Sequence, residues 1–235
     1  MSQPQHIRYR FDLPDGSQKT LDFDFDSTDF RLTNAAPAEA PFWTELKFNQ
    51  CANCPLNVLE HAHCPVALQM ASTLEPLKAL VSFDTVGVTV VQEGRAIYAQ
   101  TSAQQAMSSV LGLIMASAGC PWTDHLRPMA RFHLPFASEE ETLYRSICMY
   151  LLAREITGSK QPQDFAALED LYQNLHIVNR DMSRRLGAAT RTDPARNAIA
   201  LLDSYTTLLP AALERSFDDL KPLFHAWRNR QNLPI

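Results

Sequence analysis

Ile7-Arg-Tyr-Arg-Phe-Asp-Leu-Pro-Asp-Gly-Ser-Gln-Lys-Thr-Leu-Asp-Phe-Asp-Phe25 holds two runs of alternating apolar and polar residues on either side of a turn. Ile7, Tyr9 and Phe11 alternate with Arg8 and Arg10, while Leu21, Phe23 and Phe25 alternate with Asp22 and Asp24. Successive side chains on a strand point to opposite faces, so each run presents one apolar and one charged face. Pro14-Asp15-Gly16 supplies turn residues between them, and the stretch is read as a β-hairpin with one buried face. On its wet face arginines of one strand lie near aspartates of the other, worth about 0.2–1 kcal/mol per opposed pair.

Further along, Val86 to Val91 is β-branched and apolar, Glu93-Gly94 offers a turn, and Arg95 to Gln100 returns as a partner strand. Two hairpins are thus expected to join in a four-stranded antiparallel sheet. The run from Asn34 to Pro41 reads as a linker, with Phe42 and Trp43 anchoring the cysteine segment beyond it. A helix is expected after Pro65, ending before Pro76, and an apolar one over Ala103 to Ala118, stopped by Gly119.

Beyond that the pattern is helical. Ser138 and Glu141 form a capping box, and Leu143, Ile147, Tyr150, Leu151 and Leu152 read as a buried stripe closed by Gly158. A second helix is expected from about Pro162 to Leu186, and a third opened by Asp193-Pro194 and running to about Pro210. The expected class is α+β, a small antiparallel sheet of two hairpins with a mostly helical C-terminal half. The divisions read along the chain are 1–33, an N-terminal hairpin; 42–135, the cysteine region with the second hairpin; and 136–235, a helical region packed on it.

The 235 residues, 46% hydrophobic and 20% charged, suffice for a substantial core. A net charge of -5 argues against a surface built to grip a phosphate backbone, so nucleic acid is not the expected partner. The longest nearly apolar run, Val110 to Ala118, is far shorter than a bilayer span, and Met1 to Arg10 lacks a signal-peptide core. An untargeted, cytoplasmic protein is expected, with a protein partner left open. Five cysteines, three of them within fourteen positions, suit thiolate ligation in a reducing compartment better than a disulfide frame.

The chemistry is concentrated in Cys51-Ala-Asn-Cys54-Pro, Cys64-Pro65 and Gly119-Cys120-Pro121. Two cysteines separated by two residues can set both sulfurs on one metal, and a third nearby with a fourth from elsewhere completes a tetrathiolate. Proline after three of these four cysteines stiffens the chain just beyond each sulfur. Cysteine followed by proline also ends the bacterial ferredoxin ligand run, and a [4Fe–4S] cluster is the leading reading. Structural Zn2+ is the alternative, because His61 and His63 beside Cys64 allow a site of three cysteines and one histidine. Cys120 is remote from the other three, so ligation closes a long loop and clasps two halves of the fold.

Cys51-Ala-Asn-Cys-Pro-Leu56 resembles the cluster-binding start of the family-four uracil-DNA glycosylases, but over six residues only, with none of their glycine-rich catalytic segments beyond it. A longer resemblance is to an uncharacterised bacterial family of hypothetical proteins. It is carried by Gln50-Cys-Ala-Asn-Cys-Pro-Leu, His63-Cys-Pro-Val-Ala, Ser117-Ala-Gly-Cys-Pro, Leu126-Arg-Pro-Met-Ala-Arg-Phe-His-Leu-Pro-Phe-Ala and Glu141-Thr-Leu-Tyr-Arg. It implies that the cysteine loops and the segment after Cys120 belong to one unit, and it implies no activity.

Arg127 and Arg131 are candidates to hold a phosphate or carboxylate near the metal, against the plainer reading of a stiff loop with solvated charges. His125 and His133 are candidate ligands or supporting donors, against ordinary structural hydrogen bonding. Cys148, between Ile147 and Met149, is read as a buried, inert thiol. Glu139, Glu140 and Glu141 fall in a first helical turn, where the dipole favours carboxylates, and seven glycines in the entire chain make a phosphate-loop fold improbable. The functional expectation is therefore a cysteine-ligated centre with a structural or redox-sensing role, or else a redox enzyme component using the segment after Cys120.

Overall fold

In the computed structural model, which describes residues 5–158, 165–189, 195–204, 206–207 and 220–228, the alternation over residues 7–25 becomes two paired strands. β1 (Gln5–Asp12) and β2 (Gln18–Phe25) run antiparallel, with Ile7 opposite Phe23, Tyr9 opposite Leu21 and Arg8 opposite Asp22. The apolar set of both strands is buried, while Arg8 Nε meets Asp22 Oδ1 at 2.6 Å on the wet face.

β3 (Thr85–Gln92) and β4 (Arg95–Ser102) form the second hairpin. Its two turn residues, Glu93 at φ 45° and Gly94 at φ 75°, both lie in the left-handed region that a tight two-residue turn requires. β1 pairs antiparallel with β3, so the hairpins merge into one sheet of order β2-β1-β3-β4, as the sequence predicts. Val86, Val88 and Val90 extend the buried face.

α1 (Pro65–Leu74) begins with Cys64 at its N-cap and proline at its first position, where the missing N–H costs nothing. α2 (Ala103–Ser117) starts from Ser102, whose hydroxyl accepts from the Gln105 N–H at 3.2 Å. It shares one core with the sheet, and Gly119, at φ 90°, turns the chain just before Cys120. α3 (Arg127–Arg131) is a short helix, α4 (Glu139–Thr157) carries the expected capping box and ends on left-handed Gly158, and α5 (Ala166–Ala189) is the longest.

α5 serves two cores. Leu168, Tyr172 and Leu175 pack against Leu143 and Ile147 of α4, whereas Val178, Met182 and Leu186 enter the main core beside the sheet and α2. The helical stretch at 195–204 adds Ala195, Ala198 and Ile199 to that core. The class is α+β, with the sheet in the N-terminal half and the helices mostly in the C-terminal half. Among the described residues no helix is long and apolar enough to cross a membrane.

Three expectations are corrected. The α4 stripe stops short: Leu151 and Leu152 are exposed, and so is Cys148, which is therefore not a buried thiol. At 3.6 residues per turn Leu143, Ile147 and Tyr150 share one face, while Cys148 and Leu152 fall on the far side. Phe42 is 59% exposed, and Trp43 alone enters the core. The expected Asp193-Pro194 helix start and the Pro162 boundary lie outside the described residues.

Because β1 is central and Phe11 is fully buried on its core face, Phe11→Ala should lower unfolding stability by about 3–5 kcal/mol, read by urea denaturation. Asp22→Asn on the wet face should cost less than about 1 kcal/mol in the same assay. Equal losses for the two variants would contradict the face assignment.

Candidate metal centre

Three segments carry the four cysteines, and Cys54, Cys64 and Cys120 all lie within electrostatic reach of Cys51. Cys51 and Cys54 flank a turn closed by the Cys54 N–H on the Cys51 carbonyl at 3.0 Å, Cys64 sits at the α1 N-cap, and Cys120 comes directly after the glycine stop of α2. All four are free thiols, Cys64 buried and the others half-buried against the main core. Burial, followed by the proximity of Cys64, Cys120, Asp181 and Cys54, pushes the Cys51 thiol up to about 12. Every one of the other three cysteines therefore lies within electrostatic reach of Cys51.

The surroundings oppose that penalty. Burial raises the Cys64 thiol, while its place at the N-terminus of α1 and the nearby Arg185 charge act the other way; its side chain accepts no cap hydrogen bond. Burial likewise raises Cys120. A helix N-terminus and a nearby cation favour the thiolate over the thiol.

α5 holds the cysteine turn in position. The Ala52 N–H donates to Asp181 Oδ2 at 2.8 Å, and Asn53 Nδ2 donates to the Asn174 carbonyl at 3.1 Å. From the Cys120 loop, Trp122 Nε1 donates to the Asn53 carbonyl at 2.5 Å, tying the two cysteine loops together. Burial alone would raise the Asp181 carboxyl, but bonds from Arg180 and the Ala52 N–H outweigh it and hold the group below its ordinary value.

Arg185 is the least expected component. It is 1% exposed, and its guanidinium donates to the carbonyls of Trp43 (2.7 Å), Glu45 (2.7 Å) and Leu46 (3.1 Å), with no carboxylate partner among the described residues. Its Nε and the Asn53 Oδ1 are buried without hydrogen-bond partners. A buried cation satisfied only by neutral carbonyls keeps most of its electrostatic cost until an anion approaches.

The donor set fits a thiolate-ligated centre: four cysteines, one of them at a helix N-terminus, and one buried cation. The cysteines are not packed as for a single ion, since among the described residues no group of three or more His, Cys, Asp or Glu is gathered closely enough to hold one.

The other candidates separate from this cluster. His61 is exposed, and His63 is half-buried with Nδ1 2.9 Å from the Thr44 hydroxyl. His125 is half-buried in the turn after Cys120, its Nε2 unpartnered, and burial lowers it to about 4. His133 faces elsewhere, its Nε2 bonded to the Tyr9 hydroxyl, and burial, then the Arg145 and Arg95 charges, lowers it to about 3. Arg127 pairs with Asp29 and Asp124 at 3.0 and 3.1 Å, and Arg131 with Glu93 and Gln5, so both charges are met within the protein.

Residue patterning did not single out Asn174, Asp181 or Arg185. Their signal was present: Asp181 and Arg185 are one helical turn apart beside Val178 and Met182, placing charges on the apolar face of α5.

Fold and site together define an α+β protein with four cysteines in or against its main core. The chain belongs to the family described as Domain of unknown function (DUF6901), whose model matches residues 7–225. No curated protein and no solved structure matches it.

His133 and His125 are held neutral in the folded chain, with values near 3 and 4 against an ordinary 6.5. Their contribution is complete above about pH 6.5 and is lost as pH falls toward those values, because the unfolded chain takes up protons first. His133→Gln should flatten the decline in stability between about pH 6.5 and 4.5, by up to about 1.4 kcal/mol per pH unit. An unchanged acid limb in urea titrations would refute its burial as a neutral ring.

Proposed function

We propose that Cys51, Cys54, Cys64 and Cys120 hold a [4Fe–4S] cluster with a structural or redox-sensing role, clasping the cysteine loops to α2 and α5. The observation that carries this reading is charge: four cysteines, Cys64 buried, share their surroundings with one buried guanidinium, Arg185, which has no carboxylate partner among the described residues. When bound, the cluster would supply an electron couple tuned by hydrogen bonds to its sulfurs. The chain's own part is to hold thiolates: Cys64 sits at the N-terminus of α1, whose dipole favours the charged sulfur, and Asp181 fixes the turn between Cys51 and Cys54. Arg185 offsets the negative charge that such a set accumulates.

Zinc is the second reading, favoured by the same four thiols. A role as a redox enzyme component has less support, since Arg127 and Arg131 are already paired. The reading places the protein in a reducing, cytoplasmic setting, where a redox-sensing centre would report to a protein partner.

Cys120→Ser should remove most of the bound metal and lower Tm by at least about 5 °C, given about 2–4 °C per kcal/mol at this size. Cys148→Ser, on the exposed face of α4, should change neither. Anaerobic purification with metal analysis and a thermal melt reads both; full metal content and an unchanged Tm in Cys120→Ser would overturn the assignment.

A further inference from the structure

A cavity of about 170 Å³ opens among α2, α3, α4 and α5, away from the paired arginines of α3. Leu113, Ala116, Leu126, Leu175 and Leu202 give it apolar walls. The polar groups include Ser109 and His133, whose ring is fixed by the Tyr9 hydroxyl, itself 2.8 Å from Ser109 Oγ. With its value lowered by burial, His133 presents a neutral ring.

One charged side chain lines the cavity among the described residues, and it is Arg145. Its Nη2 donates to the carbonyls of Met129 and Phe132, both at 2.8 Å, which anchors the guanidinium at the wall. Glu141, one turn earlier on α4, acts on its charge without forming an ion pair, no other described carboxylate forms one, and no described acidic residue lines the cavity. A guanidinium anchored by carbonyls at the wall of an apolar chamber selects an anion carrying an apolar body. Space limits that body: an engineered cavity of about 150 Å³ accommodates benzene.

We propose that this cavity binds a small monocarboxylic acid, with its carboxylate on Arg145 and its apolar body of about one ring, or a short alkyl chain, against Leu113, Ala116 and Leu175. Ligand binding here involves no bond making, and it stands independently of the cysteine centre. The carboxylate accepts the guanidinium N–H donors that the carbonyls leave free, and apolar burial supplies the remainder of the affinity.

The test titrates the full-length protein with hexanoate, hexan-1-ol and hexylamine by calorimetry. Hexanoate should bind once per chain, about ten-fold or more tighter than either of the other two, as a charge-assisted hydrogen bond implies. Arg145→Gln should remove that preference while leaving hexanol binding within about three-fold, and Arg145→Lys should retain a preference for the acid. Ala116→Phe fills the apolar end and should abolish binding of hexanoate. If Arg145→Gln fails to fold, the wild-type preference and the Ala116→Phe result decide alone. Equal affinities for acid, alcohol and amine, no saturable hexanoate binding, or hexanoate binding unaffected by Ala116→Phe would each overturn the proposal.

Discussion

Arg185 carries its charge into the interior of this protein without a carboxylate partner among the described residues. Removing an ion from water costs several kcal/mol even after relaxation, and three backbone carbonyls recover only part of it. Those carbonyls belong to Trp43, Glu45 and Leu46, the segment that leads directly into the cysteine loop. The same contact therefore ties the entry of that loop to α5 and sets a positive charge beside Cys64. The proposed thiolate centre would complement that charge, and Asp181, Asn174 and Trp122 hold the cysteine loop in place.

α5 explains how one helix can do this while staying rigid. Its first half, which carries Asn174, packs on α4, and its second half, which carries Asp181 and Arg185, packs in the main core. α2 has the parallel role from the other side. It packs beneath the sheet, ends at Gly119 immediately before Cys120, and contributes wall residues to the apolar cavity. The cysteine junction and the cavity thus share two structural supports, although each has its own polar chemistry.

Much of the fold was legible because alternation and turn chemistry agree. Ile7, Tyr9 and Phe11 had nowhere to go but one face, and Glu93-Gly94 admitted the left-handed turn that joins β3 and β4. The cysteine convergence was legible as a pattern of spacing, and the identity of any bound metal was not, because tetrathiolates serve both iron–sulfur clusters and zinc. The α4 stripe was misread since apolar residues were counted without assigning them to a helical face, which leaves Leu152 and Cys148 outside. Arg185 left a signal only in its place on the apolar face of α5; its partners are backbone carbonyls 139–142 residues away. Backbone acceptors leave no trace in residue type.

The content of the four-cysteine centre is read most directly by elemental analysis and an absorption spectrum on anaerobically purified wild-type protein. A [4Fe–4S] cluster predicts a brown protein absorbing near roughly 400 nm, with iron and acid-labile sulfide in equal amounts and about four of each per chain. A colourless protein carrying one zinc, or none of these elements, would contradict it.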